Sequence, residues 1–205
     1  VQLYASLWHS LAQKLRHTNH RLSESFGSEG VSTPQRDEGT GAAPSETAVA
    51  LEQKVKLFHE QGLGRRELLT LATFSREIQI PAGTFLFREG DPGRELFIVL
   101  DGKIRISTFI PGGGEEALEV VPRGGFFGEI ALIDGEPRSA DAQAHEGPAT
   151  VLALDQTTVH DVIAMDPHAS LDFLRLLSRI LAARLRELDE KLVLWQILGG
   201  TPGAP

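Results

Sequence analysis

From Glu77 to Leu154 the apolar positions recur at close to every second residue, and that alternation predicts a run of short β-strands. Ile78 and Ile80 alternate with polar neighbours, and Pro81-Ala82-Gly83 turns the chain into Thr84-Phe85-Leu86-Phe87. Glu89-Gly90-Asp91-Pro92-Gly93 is a second turn, leading into Leu96-Phe97-Ile98-Val99-Leu100. Asp101-Gly102 is a hairpin signal, with a return along Lys103-Ile104-Arg105-Ile106-Ser107. Pro111-Gly112-Gly113-Gly114 turns the chain once more into Leu118-Glu119-Val120-Val121, and Ala140–Ala144 and Thr150–Leu154 complete the series. Short strands punctuated by glycine turns, with one helical insertion, predict an α+β chain that is mainly β: an antiparallel jelly-roll β-barrel.

On either side of this block the period changes to that of a helix. Val1 to about Leu22 carries Leu3, Leu7, Leu11, Leu15 and Leu22 on one stripe, which predicts an amphipathic helix. Residues 23–47, rich in Gly, Ser, Pro and acids, read as a flexible linker. Leu51, Val55, Leu57, Phe58, Leu63, Leu68, Leu69 and Leu71 predict helices interrupted at Gly62 and Gly64. From Gln156 the chain is predicted helical to Leu198 with a break at Asp166-Pro167, so that N-terminal helices and a long C-terminal helix flank the barrel. Leu181, Leu185, Leu188, Leu192 and Trp195 are spaced four, three, four, three. That face either forms a two-heptad dimer seam or lies against the barrel. The domain reading is therefore a helix over 1–22, a linker over 23–47, one domain over 48–198 and a disordered tail over 199–205.

The first helix repeats the last at a constant offset of 170: Leu11-Ala12-Gln13-Lys14-Leu15 aligns with Leu181-Ala182-Ala183-Arg184-Leu185, and Leu22 with Leu192. Either two leucine-striped helices resemble each other by composition, or residues 1–22 close a preceding domain of the same kind. In the second case Thr18 and Asn19 belong to that domain's pocket.

Composition narrows the function. With 41% hydrophobic residues the chain has material for a core. A net charge of −8 argues against a nucleic-acid partner. The absence of cysteine removes disulfides, thiolate nucleophiles and thiolate zinc sites, and fits a reducing, cytoplasmic setting. No apolar run is long enough to enter a membrane. The seven histidines show no His-x-His on a strand, so no metal is expected. Gly-x-Ser-x-Gly, P-loop and His-Glu-x-x-His motifs are absent, so no enzyme is expected. The chain starts at Val1 rather than Met, as expected of a fragment or processed chain.

The candidate chemistry lies in Phe126-Phe127-Gly128-Glu129-Ile130-Ala131-Leu132-Ile133-Asp134-Gly135-Glu136-Pro137-Arg138-Ser139-Ala140. A carboxylate and a guanidinium stand nine positions apart in a stretch that otherwise reads as core. Buried charges need a partner or a ligand. Either Glu129 and Arg138 neutralise each other as a structural pair, or Arg138 takes an anion and Glu129 accepts from neighbouring hydroxyls. Gly128 permits close backbone approach. The helix-prone Glu129-Ile130-Ala131-Leu132 offers free amides to an anion, and the guanidinium fork suits a phosphate.

Phe-Gly-Glu-Ile-Ala-Leu followed by Pro-Arg-Ser-Ala resembles the phosphate-binding cassette of cyclic nucleotide-binding domains, and Phe-Arg-Glu-Gly-Asp-Pro-Gly over 87–93 is similar to the same family. The resemblance implies that Glu129 holds the ribose 2′-hydroxyl and Arg138 the cyclic phosphate. It further implies that Gly128, the Ile130 and Ala131 amides, Ser139 and Ala140 complete the cradle. The implied ligand is cAMP, or else cGMP, with no metal. In that family the helix after the barrel caps the nucleotide, which places Leu188 and Asp189 as a base cap where small hydroxyl residues are expected. The function implied is a cyclic nucleotide-binding regulatory module that transmits occupancy through its C-terminal helices to an effector domain or partner protein outside the sequence. The alternative is a ligand-free jelly-roll interaction module, dimerising through the last helix, with Glu129–Arg138 as an ion pair.

Overall fold

The computed structural model describes residues 2–25, 42–60, 65–110, 114–165 and 167–198. Val1, residues 26–41 of the linker expected over 23–47, residues 61–64 with Gly62, Leu63 and Gly64, the expected turn at 111–113, Asp166 and the expected tail over 199–205 lie outside that description. So do the side chains of Leu3, Leu22, Leu68, Leu192 and Trp195.

The alternating segments form nine strands among the described residues: β1 (Ser45–Glu46), β2 (Arg76–Ile80), β3 (Phe85–Phe87), β4 (Glu95–Asp101), β5 (Ile104–Ile110), β6 (Gly114–Val121), β7 (Phe126–Phe127), β8 (Asp141–Ala144) and β9 (Ala149–Asp155). They pair antiparallel in two sheets, β1-β2-β9-β4-β7 and β3-β8-β5-β6, which is the jelly roll. Gly102, in the left-handed region at φ 76, closes the β4–β5 hairpin, and the β-carbon of any other residue would stand 2.5 Å from the Pro148 carbonyl oxygen. β1 falls within the expected linker, where Ser45 and Glu46 pair with Gln79 and Ile78.

β4 is apolar on both faces because both are covered. Phe97 and Val99 point between the sheets, with Ile80, Val121, Phe127 and Val151. Leu96 and Ile98 point outward, onto helices that share a second core. These helices are α1 (Gln2–Ser25), α2 (Leu51–Glu60), α3 (Arg65–Phe74), the short α4 (Glu129–Asp134), α5 (Gln156–Met165) and α6 (Pro167–Leu198). Leu57, Phe58, Leu71, Val162, Phe173 and Leu177 are their fully buried contributions. Lys54, buried on α2, donates to the carbonyls of Ala72 and Ser75, each at 3.1 Å, and pairs with Glu77. It thereby satisfies carbonyls at the end of α3 that a helix leaves without partners.

α1 does not bury the leucine stripe its sequence suggests. Trp8, Ala12, Leu15, Thr18 and Asn19 face inward, while Leu7 is 47% exposed. A spacing of four drifts about 40° round the helix per step, so Leu7 lies well away from Leu15, whereas Trp8, one heptad from Leu15, stays nearly in line. The face packs on α6 and α4 of this chain's own barrel. Trp8 Nε1 donates to Ser178 Oγ at 2.8 Å, and Arg16 clasps Asp134 through Nε and Nη2 at 2.8 and 3.1 Å.

Candidate functional site

Gly128 opens α4 in the left-handed region at φ 79, with no side chain capping the helix. Its backbone turn puts Glu129 fully inside and lets the chain pass close to Arg138. A β-carbon at position 128 would lie 2.8 Å from Arg138 Nη1 and 3.0 Å from the Glu95 carbonyl oxygen. The turn over 88–93 is hooked to the other end of the cassette. Gly90 N donates to the Arg138 carbonyl and Arg138 N to the Asp91 carbonyl, both at 2.9 Å, and Glu89 N donates to Asp141 Oδ1 at 2.6 Å.

Arg138 is 4% exposed. Its Nη1 donates to the carbonyls of Glu95 at 2.8 Å and Gly128 at 2.9 Å, and its guanidinium lies over the Phe87 ring at 4.3 Å and the Phe97 ring at 5.1 Å. Burial lowers its pKa from the ordinary arginine value, against the opposing pull of Glu95, Glu129 and Asp91. Its Nε has no hydrogen-bond partner.

Glu129, at 0% exposure, does not pair with Arg138. Its Oε1 accepts from Arg184 Nη1 of α6. The structural-pair reading of Glu129 and Arg138 is therefore corrected: Arg138 is held by backbone carbonyls, ring faces and the Glu95 carboxylate 4.0 Å away, and Glu129 by a cation from a helix 55 residues further on. Arg184 also donates from Nε to Glu119 Oε2 at 2.6 Å and from Nη2 to the Phe126 carbonyl. Burial opposes its charge, but Glu129 and Glu119 outweigh that and hold its pKa above the ordinary value. No local signal marks this residue, since an arginine among leucines on a long helix reads as a solvated flank.

One cleft gathers these groups. Gly128, Glu129, Ile130, Ala131, Arg138, Ser139 and Ala140 all line it, with Phe87, Ile106, Leu118 and Arg184. Of the expected base cap, Leu188 is buried and lines the cleft. Asp189 does not: it is exposed, because one further residue turns the helix by about 100°. Leu15 and Asn19 of α1 supply the facing wall, so Asn19 lines the pocket of this barrel. Among the described residues, the buried side-chain polar atoms without a partner are Glu129 Oε2, Arg138 Nε and Asn19 Oδ1. All three belong to this cleft. An unpaired acceptor and an unpaired cationic donor in one cleft fit a ligand with an anion and a hydroxyl. No group of three His, Cys, Asp or Glu able to hold a metal ion occurs among the described residues, nor any helix long and apolar enough to cross a membrane.

Gly93 carries a direct test of the Arg138 geometry. A β-carbon there would stand 2.5 Å from Arg138 Nε and 2.7 Å from Nη2, without backbone strain. Gly93→Ala is therefore expected to push the guanidinium aside and weaken anion binding about tenfold, the order of one charge-assisted hydrogen bond. Melting and titration of the same sample check it; unchanged affinity would mean that Arg138 does not take the anion.

Residues 77–166 match the family model of the cyclic nucleotide-binding domain. The cyclic AMP receptor protein of Thermus thermophilus is 37% identical over 137 residues, which are 66% of this chain and 60% of that protein. The CRP-like cAMP-activated global transcriptional regulator of Mycobacterium tuberculosis is 30% identical over 132 residues, 64% of this chain and 57% of that one. A solved cyclic nucleotide-binding domain from Methylobacillus flagellatus aligns with a TM-score of 0.64 at 27% identity, over 78% of this chain and 91% of that one. The barrel and its cassette belong to the cyclic nucleotide-binding domain family, a family of regulatory domains. The chain spans about three fifths of the length of these two curated relatives.

Proposed function

We propose that the chain binds a 3′,5′-cyclic nucleotide, cAMP in preference to cGMP, and that occupancy of the cleft is passed on through α6. The observation that carries this reading is the pair of orphaned atoms in one cleft, Glu129 Oε2 and Arg138 Nε. Arg138 takes the cyclic phosphate, with the amides at the start of α4 and the Ser139 hydroxyl beside it. Glu129 accepts from the ribose 2′-hydroxyl through the oxygen that Arg184 leaves unused. The preference for cAMP follows the two relatives, whose names refer to cyclic AMP.

The role is regulatory and non-catalytic. Arg184 joins α6 to α4 through Glu129, to β6 through Glu119 and to β7 through the Phe126 carbonyl. A hydroxyl on Glu129 Oε2 shares the carboxylate whose other oxygen holds Arg184, and so bears on where α6 rests. A ligand shifts a conformational equilibrium only through such differential contacts. The effector that reads the helix lies in a separate domain or partner. Calorimetric titration with cAMP and with cGMP tests the reading. Micromolar binding with cAMP the tighter is expected; no heat and no thermal shift with either nucleotide would sink it.

A further inference from the structure

We infer that α1 is part of the ligand site and that Asn19 reads the nucleobase, an inference that rests on the proposed cyclic-nucleotide function. The side chain is 6% exposed and lines the cleft. Its Nδ2 donates to the Ser139 carbonyl at 3.5 Å, whereas Oδ1 has no partner. The reverse amide orientation would set two acceptors against each other, so the acceptor is the end left free. With the phosphate on Arg138 and the ribose on Glu129, the base falls to the remaining wall, where Ile106, Leu118 and Leu188 are apolar and Asn19 is polar. A buried amide oxygen on that wall calls for a hydrogen-bond donor, and the donors a nucleobase offers are N–H groups.

The position of Asn19 follows from how α1 and α6 pair. Their sequences align at an offset of 170, and the Trp8–Ser178 hydrogen bond joins two residues separated by that same 170. Six to eleven residues further along, Leu15 and Asn19 of α1 line the same cleft as Arg184 and Leu188 of α6, so the helices run parallel and in register. The two copies of the pattern divide the work. α6 turns Leu188 into the cleft and Asp189 out to solvent; α1 turns Asn19, the counterpart of Asp189, into the cleft. Arg16 on Asp134 and Trp8 on Ser178 fix that rotation. α1 thus supplies the polar group that α6 withholds, and it forms the wall that faces the base.

The test is titration of the full chain and of Asn19→Ala and Asn19→Leu with three nucleotides. These are cAMP, cGMP and purine riboside 3′,5′-cyclic monophosphate, whose base has no N–H. Loss of a neutral hydrogen bond is expected to weaken cAMP about fivefold in both variants, while the purine riboside analogue stays within about twofold. Equal weakening of all three nucleotides in both variants, or no change in any, would overturn the base-reading role while leaving nucleotide binding intact. If the unaltered chain binds none of the three, the proposed function itself fails and this inference falls with it. Arg138→Ala separates the cases, since it strikes the phosphate that all three nucleotides share.

Discussion

Arg138→Ala is expected to weaken cAMP and cGMP alike, by roughly 10- to 100-fold, because both carry the same cyclic phosphate. A hydrogen bond to a charged group contributes about 1.5–3 kcal/mol, and every 1.4 kcal/mol or so is tenfold in affinity. Stability should move much less. The substitution strands the carbonyls of Glu95 and Gly128 and bares the faces of Phe87 and Phe97. It also removes a cation whose burial already works against its charge. The two effects oppose each other, so the melting temperature is expected to shift by only a few degrees. Arg138→Lys should recover little, since an ammonium keeps the charge but cannot present Nε to an anion while Nη1 holds two carbonyls. Isothermal titration of the three proteins measures this directly. Full affinity in Arg138→Ala would show that the phosphate lies elsewhere.

The barrel was legible because its signals are local. The Asp101-Gly102 turn, the glycine-rich breaks and the period-two runs each act within a few residues, and the structure places a strand on each period-two run. Glu129 and Arg138 were legible for a related reason: charges inside an apolar run, flanked by a glycine that the backbone needs at positive φ, have few places to go. What pairs with them was not. Arg184 reaches Glu129 across 55 positions, and Asn19 reaches Ser139 across 120. No periodicity encodes such contacts; they depend on how the helices dock. Lys54 makes the same point in the core, where a lysine on an amphipathic helix buries its ammonium against three acceptors of α3 and β2. Asp189 failed as a base cap through rotation alone, one residue beyond a position that does line the cleft.

Arg184→Ala is expected to have the largest effect on stability and to uncouple α6 from the cleft. The Arg184 side chain is 13% exposed, and its guanidinium serves Glu129, Glu119 and the Phe126 carbonyl together. Removing one partner of a buried ion pair costs about 3–5 kcal/mol, because the other charge stays buried without compensation. For a domain of this size that lowers the melting temperature by about 10 °C. Most of the loss should trace to Glu129, the more buried of the two acids. Adding Glu129→Gln to Arg184→Ala should therefore destabilise less than the two single changes summed, and a double-mutant cycle measures the difference. Affinity should fall less than in Arg138→Ala, since the phosphate contact is untouched. The coupling should not survive. In the unaltered chain, cAMP is expected to change amide hydrogen exchange along α6; in Arg184→Ala the nucleotide should still bind while α6 exchanges at the same rate with and without it. If α6 still responds in that variant, the signal travels through α1 or α5 instead, and the Arg184 bridge only holds the helix in place.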